Sequence, residues 1–201
     1  MVGKLIVMEG LDGSGKSTQT KLLVEHLKKK GFQVHLTNEP SDKGLRKIIK
    51  DTISTKSKID DPILDALLYT SDRRFHLKSE ILPLLEQNFI VISDRYYHST
   101  FTYQQAQGLD LDWLIDINKF SLKPNLTIII DSNPEKALER ISKENRQNIA
   151  KFEKLEFLKK LRGNYLNLPE KLKDEKIIII DGDRPREEVF GDIKKIVERH
   201  L

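Results

Sequence analysis

Apolar residues fall along this chain in two patterns. Leu5-Ile6-Val7-Met8, Phe89-Ile90-Val91-Ile92-Ser93, Leu126-Thr127-Ile128-Ile129-Ile130 and Ile177-Ile178-Ile179-Ile180 are short, nearly continuous runs. Runs of that length with almost no polar alternation are what strands buried on both faces require. Residues 32–37 alternate and predict a second strand. Between these runs, apolar residues recur at helical spacing. Leu22, Leu23 and Leu27 mark a helix over 18–30 that Gly31 stops, and 45–49 resumes a helix ending near 54. Pro62 opens a long helix with Leu64, Leu67 and Leu68, where Pro83 predicts a kink. Further helices are expected over 97–107 and 111–120, at Ala137, Leu138 and Ile141, from Phe152 through Leu161, and at Val189 to Val197. Five strands separated by helices, with no fixed repeat, predict a three-layer α/β/α sandwich around a five-stranded parallel sheet, with residues 1–201 as one domain.

The bulk composition narrows the classes. The 201 residues hold 35 basic and 31 acidic side chains, a formal charge of +4, which is too even for a polyanion binder, so no nucleic-acid partner is expected. Lys28-Lys29-Lys30 reads as a solvated helix end that complements the dipole. With no cysteine the chain has neither disulfides nor thiolate metal sites, and no apolar amino-terminal stretch reads as a signal or membrane span. A cytoplasmic protein without a membrane partner is the expectation.

The chemistry is concentrated where strands end. Gly10-Leu11-Asp12-Gly13-Ser14-Gly15-Lys16-Ser17 follows the first strand and runs into the first helix at Thr18. This is a P-loop: its glycines let consecutive N–H groups face one phosphate, and the helix adds its positive end beneath. Lys16 is expected on the β- and γ-phosphates and Ser17 on a Mg2+ ion, with ATP as donor. Phosphoryl transfer asks mainly for cations and alignment. Arg73, Arg74 and Arg95 supply candidate cations, and Asp12 and Asp94 could orient metal, water or an arginine. Arginine suits phosphate through its planar fork. Residues 142–148 are too polar for a core element. On spacing alone they are as consistent with a solvated connection as with a lid over 142–150, which would need cations where Arg140, Lys143 and Arg146 fall.

These residues also carry a resemblance. Ile6-Val7-Met8-Glu9 with the P-loop and Thr18-Gln19, Leu67-Leu68-Tyr69-Thr70-Ser71-Asp72-Arg73-Arg74, and Asp94-Arg95-Tyr96-Tyr97-His98-Ser99-Thr100-Phe101-Thr102-Tyr103-Gln104 resemble the thymidylate kinase family over nearly the whole chain. The resemblance implies P-loop NTPase topology, transfer of phosphate from ATP to dTMP with Mg2+ held at Ser17 and Asp94, and a homodimer pairing through helices beside the sheet. It places Tyr69 on the acceptor base, Arg73 and Arg74 with the nucleotide, Arg95 on the acceptor phosphate, and Ser99, Thr100, Tyr103 and Gln104 around the deoxyribose and thymine. Asp12, Asn38, Glu39 and Phe152 complete the expected acceptor set. Arg184 joins Arg140 and the loop on the donor side. Gly13 matches the family type that has glycine in the loop and keeps its catalytic cations in the lid, which favours Arg140, Lys143 and Arg146.

Two departures stand out. The family's Arg-Glu-Pro is here Asn38-Glu39-Pro40, so one clamp cation is missing, and Lys43, Arg46 or Arg74 are the available replacements. After the lid, Lys151-Phe152-Glu153 replaces the family's Arg, aromatic and Glu. The alternative is a kinase for another nucleoside or nucleoside monophosphate. A regulatory GTPase lacks support, because Asn118-Lys119 is followed by Phe120-Ser121 and not by the guanine-reading pattern.

Overall fold

The computed structural model describes residues 3–53, 60–144 and 151–201. Five parallel strands, β1 (Lys4–Gly10), β2 (Val34–Asn38), β3 (Ile90–Asp94), β4 (Leu126–Asp131) and β5 (Ile177–Asp181), form one sheet in the order β2-β3-β1-β4-β5. β1 lies at the centre, and its period of two sends alternate residues to opposite cores. Leu5 and Val7 pack with Val91 and Ile129 beneath Tyr96, Phe101 and Leu161; Ile6 and Met8 pack with Ile92 and Ile128 against Leu23, Leu27 and Ile193. Burying such a side chain contributes about 1.5–3 kcal/mol. The continuous apolar runs are therefore explained by helices on both faces.

The first core face is covered by α5 (Tyr97–Ala106) and α8 (Lys151–Lys171), with α6 (Leu111–Ile117) beside α5, and the second by α1 (Lys16–Lys29) and α9 (Arg186–Glu198). Gly31, at φ 87°, ends α1 as expected, with Phe32 N–H closing on the Leu27 carbonyl at 3.1 Å. α2 (Arg46–Ile53) follows β2. α3 (Pro62–His76) starts where Asp61 accepts hydrogen bonds from the N–H groups of Ile63 and Leu64. The expected irregularity near Pro83 is a π-helical turn over Leu77–Ile81, which runs into α4 (Leu82–Glu86). Pro83 has no N–H to continue an α ladder, and the wider turn takes up the break.

The remaining helix, α7 (Pro134–Glu144), begins after β4. It reaches two residues beyond the start of the expected lid. Arg146 and the rest of 145–150 lie outside the described residues, as do the side chains of Lys143 and Phe152. Among the described residues no helix is long and apolar enough to cross a membrane.

Candidate functional site

The carboxyl ends of β1, β2 and β3 stand side by side, with Met8 and Asn38 both in register with Asp94. Ligands of open parallel sheets bind at such an edge. From β1 the chain turns at once into the loop, which is tightly packed at Gly13. Gly13 sits at φ 78°, and a Cβ there would lie 2.4 Å from the Ala137 carbonyl of α7. The absence of a side chain lets α7 lie directly on the loop, and Arg140 Nη1 donates to the Gly13 carbonyl at 3.0 Å.

Lys16 is buried, and its ammonium pairs with Asp94 Oδ1. Desolvation lowers its pKa, as does the Arg95 charge, while Asp94 opposes both. Ser17 Oγ donates to the other oxygen of Asp94 at 3.0 Å. Asp94 therefore gathers the two side chains expected on the phosphates and on Mg2+. A hydroxyl and a carboxylate side by side are the hard oxygen donors that Mg2+ takes. Among the described residues no cluster of three or more His, Asp or Glu side chains could hold a metal by itself. A cation here would complete its shell with phosphate oxygens and water.

Arg95 follows β3 at φ 72°, a left-handed conformation that is strained for a side-chain-bearing residue. That backbone turn returns the guanidinium over the loop. Nη1 donates to Ser99 Oγ at 2.9 Å and Tyr165 Oη at 3.3 Å; Nη2 donates to Asp12 Oδ1 at 2.6 Å and Tyr103 Oη at 3.2 Å. Desolvation favours the neutral Asp12 carboxyl, but the Arg95 charge and hydrogen bond outweigh it and hold Asp12 below the usual carboxylate range. Burial pushes the Tyr103 hydroxyl up to about 12 against the opposing pull of Arg95. Tyr103 thus keeps a neutral hydroxyl at physiological pH.

Beneath this cluster Glu9 is fully buried. Its carboxylate accepts from Tyr96 N–H at 2.8 Å, Ser99 N–H at 3.1 Å, Ser99 Oγ at 2.7 Å and Tyr165 Oη at 2.9 Å. An anion at the start of α5 satisfies N–H groups that a helix terminus leaves open and complements its dipole. Glu9 thereby seats the helix that carries Ser99, Thr100, Tyr103 and Gln104.

Two cavities meet over Arg95. One, of about 230 Å³, is lined by Asp12, Glu39, Pro40, Tyr69, Arg73, Arg95, Tyr96, Ser99, Thr100, Tyr103 and Gln104. Most of the expected acceptor residues are brought together there. Arg73 is buried at its wall, with Nε on Glu39 Oε2 at 2.8 Å, Nη1 on Asn118 Oδ1 at 2.5 Å and Nη2 on Thr100 Oγ1 at 3.1 Å. The second, an open cleft of about 460 Å³, shares Asp12, Glu39 and Arg95 and adds Lys16, Ser17, Asn38, Arg46 and Asp94. On the far side of the loop, Ser14, Gly15, Thr18, Gln19, Arg140 and Arg184 line a third space of about 230 Å³. Leu11, Asp12, Gly13, Gly15, Lys16, Ser17 and Thr18 border a further recess of about 180 Å³.

Among the three candidates for the missing cation, only Arg46 faces the cleft beside Asn38. Lys43 is exposed and pairs with Glu80 at 3.4 Å. Arg74, expected with the nucleotide, points outward, and its Nη1 donates to the Phe120 carbonyl at 3.2 Å. It lies about 100° round the helix from Arg73, so the two cannot face the same cavity. Tyr165 was not singled out from the sequence, because at the spacing of Leu158, Leu161 and Leu168 it reads as a core residue, and it is indeed buried. Only its hydroxyl reaches the polar cluster, against Glu9, Ser99 and Arg95.

Residues 8–193 match the sequence model of a family described as thymidylate kinase. The chain is similar to a probable thymidylate kinase of Staphylothermus marinus, 40% identical over 199 residues that cover 99% of this chain and 96% of that one. It is similarly related to those of Pyrococcus horikoshii, 41% identical over 100% and 98% of the two chains, and Thermococcus onnurineus, 42% identical over 98% of each.

Proposed function

We infer the roles of these residues from the chain's kinship: it belongs to the thymidylate kinase family, and it phosphorylates dTMP. ATP is the donor. Its phosphates lie on the N–H groups of Gly13, Ser14, Gly15 and Lys16, with Thr18, Arg140 and Arg184 on the nucleoside side and Leu11 in the loop wall. Lys16 leaves Asp94 for the phosphates as they arrive. Ser17 and Asp94 would hold Mg2+, which when bound neutralises charge on the phosphates.

The acceptor nucleoside occupies the cavity between Tyr69 and Tyr103, with Arg73, Thr100 and Gln104 at the base and Ser99 and Asp12 at the sugar. Its phosphate points toward the cleft, and Arg95 holds it in line with the donor. No general base is required, because a phosphate monoester with a second pKa of about 6 is mostly dianionic at neutral pH. Lys143 and Arg146 are assigned to the lid over 142–150, and Phe152 to the acceptor set, by resemblance. Residues 1–201 act as one cytoplasmic kinase domain. Exposed Ile63, Leu67 and Phe75 on α3, beside exposed Phe120, support pairing of two copies through these helices.

The observation that carries this reading is that the nucleoside-sized cavity and the loop-side cleft share Asp12 and Arg95. The test is a coupled ADP-release assay with ATP and each common nucleoside monophosphate, with and without chelator. The fastest turnover is expected with dTMP and its loss with Mg2+ removed. Preference for another monophosphate would refute the acceptor assignment.

A further inference from the structure

The buried side of α3 and the π-helical turn meets β2 and the loop after it at every second residue. Glu80 pairs with His35 Nε2 at 2.9 Å and with Lys43 Nζ at 3.4 Å. His76 meets Thr37 and Glu39, and Asp72 accepts from the N–H groups of Ser41 and Leu45 at 2.7 Å each. Alternate residues of an extended chain share a face, and helix positions 72, 76 and 80 lie about one turn apart, so the two patterns match. This attachment accounts for Asp72 and Glu80. His76 needs a further explanation.

His76 is 1% exposed and lines neither the acceptor cavity nor the cleft. Both ring nitrogens are nevertheless engaged. Nε2 lies 2.7 Å from Thr37 Oγ1 and 3.7 Å from Glu80 Oε1, and Nδ1 lies 3.4 Å from Glu39 Oε1. A carboxylate only accepts, so Nδ1 carries the hydrogen that faces Glu39. The second oxygen of Glu39 takes Arg73 Nε at 2.8 Å. Glu39 is thus held from two sides with its side chain almost wholly buried, where losing either partner is costly.

We propose that His76 is a positioning residue for the acceptor: it fixes the plane of the Glu39 carboxylate and through it the Arg73 guanidinium at the cavity wall. It touches no substrate. The terminal torsion of a glutamate is soft, so a carboxylate that loses one partner rotates, and Arg73 follows the oxygen that it grips. Arg73 is then displaced from Asn118 and Thr100, whose oxygens set the rest of its orientation. The inference rests on the cavity being the dTMP site.

Two variants of the full chain separate positioning from packing. His76→Asn keeps an amide N–H near the place of Nδ1; His76→Gln carries its amide toward the place of Nε2 and leaves Glu39 Oε1 without a donor. His76→Gln is expected to raise KM for dTMP by about tenfold, the scale of one lost buried hydrogen bond, and to leave KM for ATP within about twofold. His76→Asn should stay within about threefold of wild type for both substrates. Thermal midpoints of the two variants should agree. If the variants lose kcat and thermal stability together, with no separation between substrates, His76 is a packing residue and the proposal is overturned. Should both fail to fold, Thr37→Val decides, because it removes the hydroxyl that seats Nε2 while conserving shape. A KM for dTMP raised by about threefold, with KM for ATP unmoved, supports the proposal, and an unchanged KM for dTMP overturns it. Wild-type turnover of dTMP in the same assay keeps this outcome separate from the acceptor reading itself.

Discussion

Asn38 and Arg46 donate to the same oxygen: Asn38 Nδ2 and Arg46 Nε each lie 3.0 Å from the Pro40 carbonyl. The shared acceptor folds the loop so that the arginine from α2 lies beside the asparagine in the cleft. The ion-pair partner of Arg46 is Asp42, four residues earlier and 72% exposed. Exposed pairs of this kind contribute only about 0.2–1 kcal/mol, so a phosphate can displace Asp42 at little cost.

Arg46 is therefore expected to supply the clamp cation that position 38 lacks. Charge-assisted bonds of this kind contribute about 1.5–3 kcal/mol each, so Arg46→Ala should raise KM for dTMP by roughly one to two orders of magnitude and leave KM for ATP nearly unchanged. Adding Asn38→Arg to that variant should restore much of the loss, measured as a double-mutant cycle. A KM for dTMP in Arg46→Ala within about twofold of wild type would assign the phosphate to Arg95 alone.

Loss of the loop lysine should show in turnover and not in folding. Lys16→Ala is expected to cut kcat by about two to three orders of magnitude, as removal of a single transition-state donor does. Its thermal midpoint should not fall, because the buried ammonium is desolvated and its pKa is already lowered. Near-normal turnover would contradict the assignment.

Tyr69 lines the acceptor cavity, and burial raises the pKa of its hydroxyl, so at neutral pH it presents an uncharged ring. Stacking of a base on an aromatic ring contributes about 1–3 kcal/mol, so Tyr69→Ala should weaken dTMP by roughly 5- to 150-fold with little effect on ATP. Isothermal titration with each nucleotide measures this. Equal losses for both would mark Tyr69 as a core residue.

Glu80 gives the stability of the loop a defined acid limit. Desolvation favours its neutral form, but hydrogen bonds, that from His35 foremost, outweigh it and hold the pKa at about 2, below the ordinary glutamate value of 4.5. A folded-state pKa depressed in this way contributes stability that is complete above the unfolded value and is lost as pH falls toward the folded one. Chemical denaturation should show stability declining between about pH 4.5 and 2, and Glu80→Gln should flatten that decline. An unchanged slope in the variant would place the acid sensitivity elsewhere.

The sequence by itself determined the layers of this protein and the identity of its loop. Continuous apolar runs can be buried on both faces only in a helix-covered parallel sheet, and the spacing of Gly10, Gly13, Gly15, Lys16 and Ser17 is a local property of the backbone. Tyr69, Arg73, Arg95, Tyr103 and Gln104, which line one cavity, were legible as a candidate site because each lies in a short stretch of recognisable pattern. What the tertiary structure decided lies between segments far apart in the chain. That Gly13 must lack a side chain follows from the Ala137 carbonyl, 124 positions away by residue number (137 − 13). Tyr165 reads as an ordinary core aromatic until its hydroxyl is seen on Glu9, Ser99 and Arg95. Lys43, Arg46 and Arg74 are equivalent cations in the sequence. Helix rotation turns Arg74 outward, Glu80 takes Lys43, and the Pro40 carbonyl draws Arg46 over the cleft. Side-chain direction depends on the packing of whole elements, and residue order does not encode it locally.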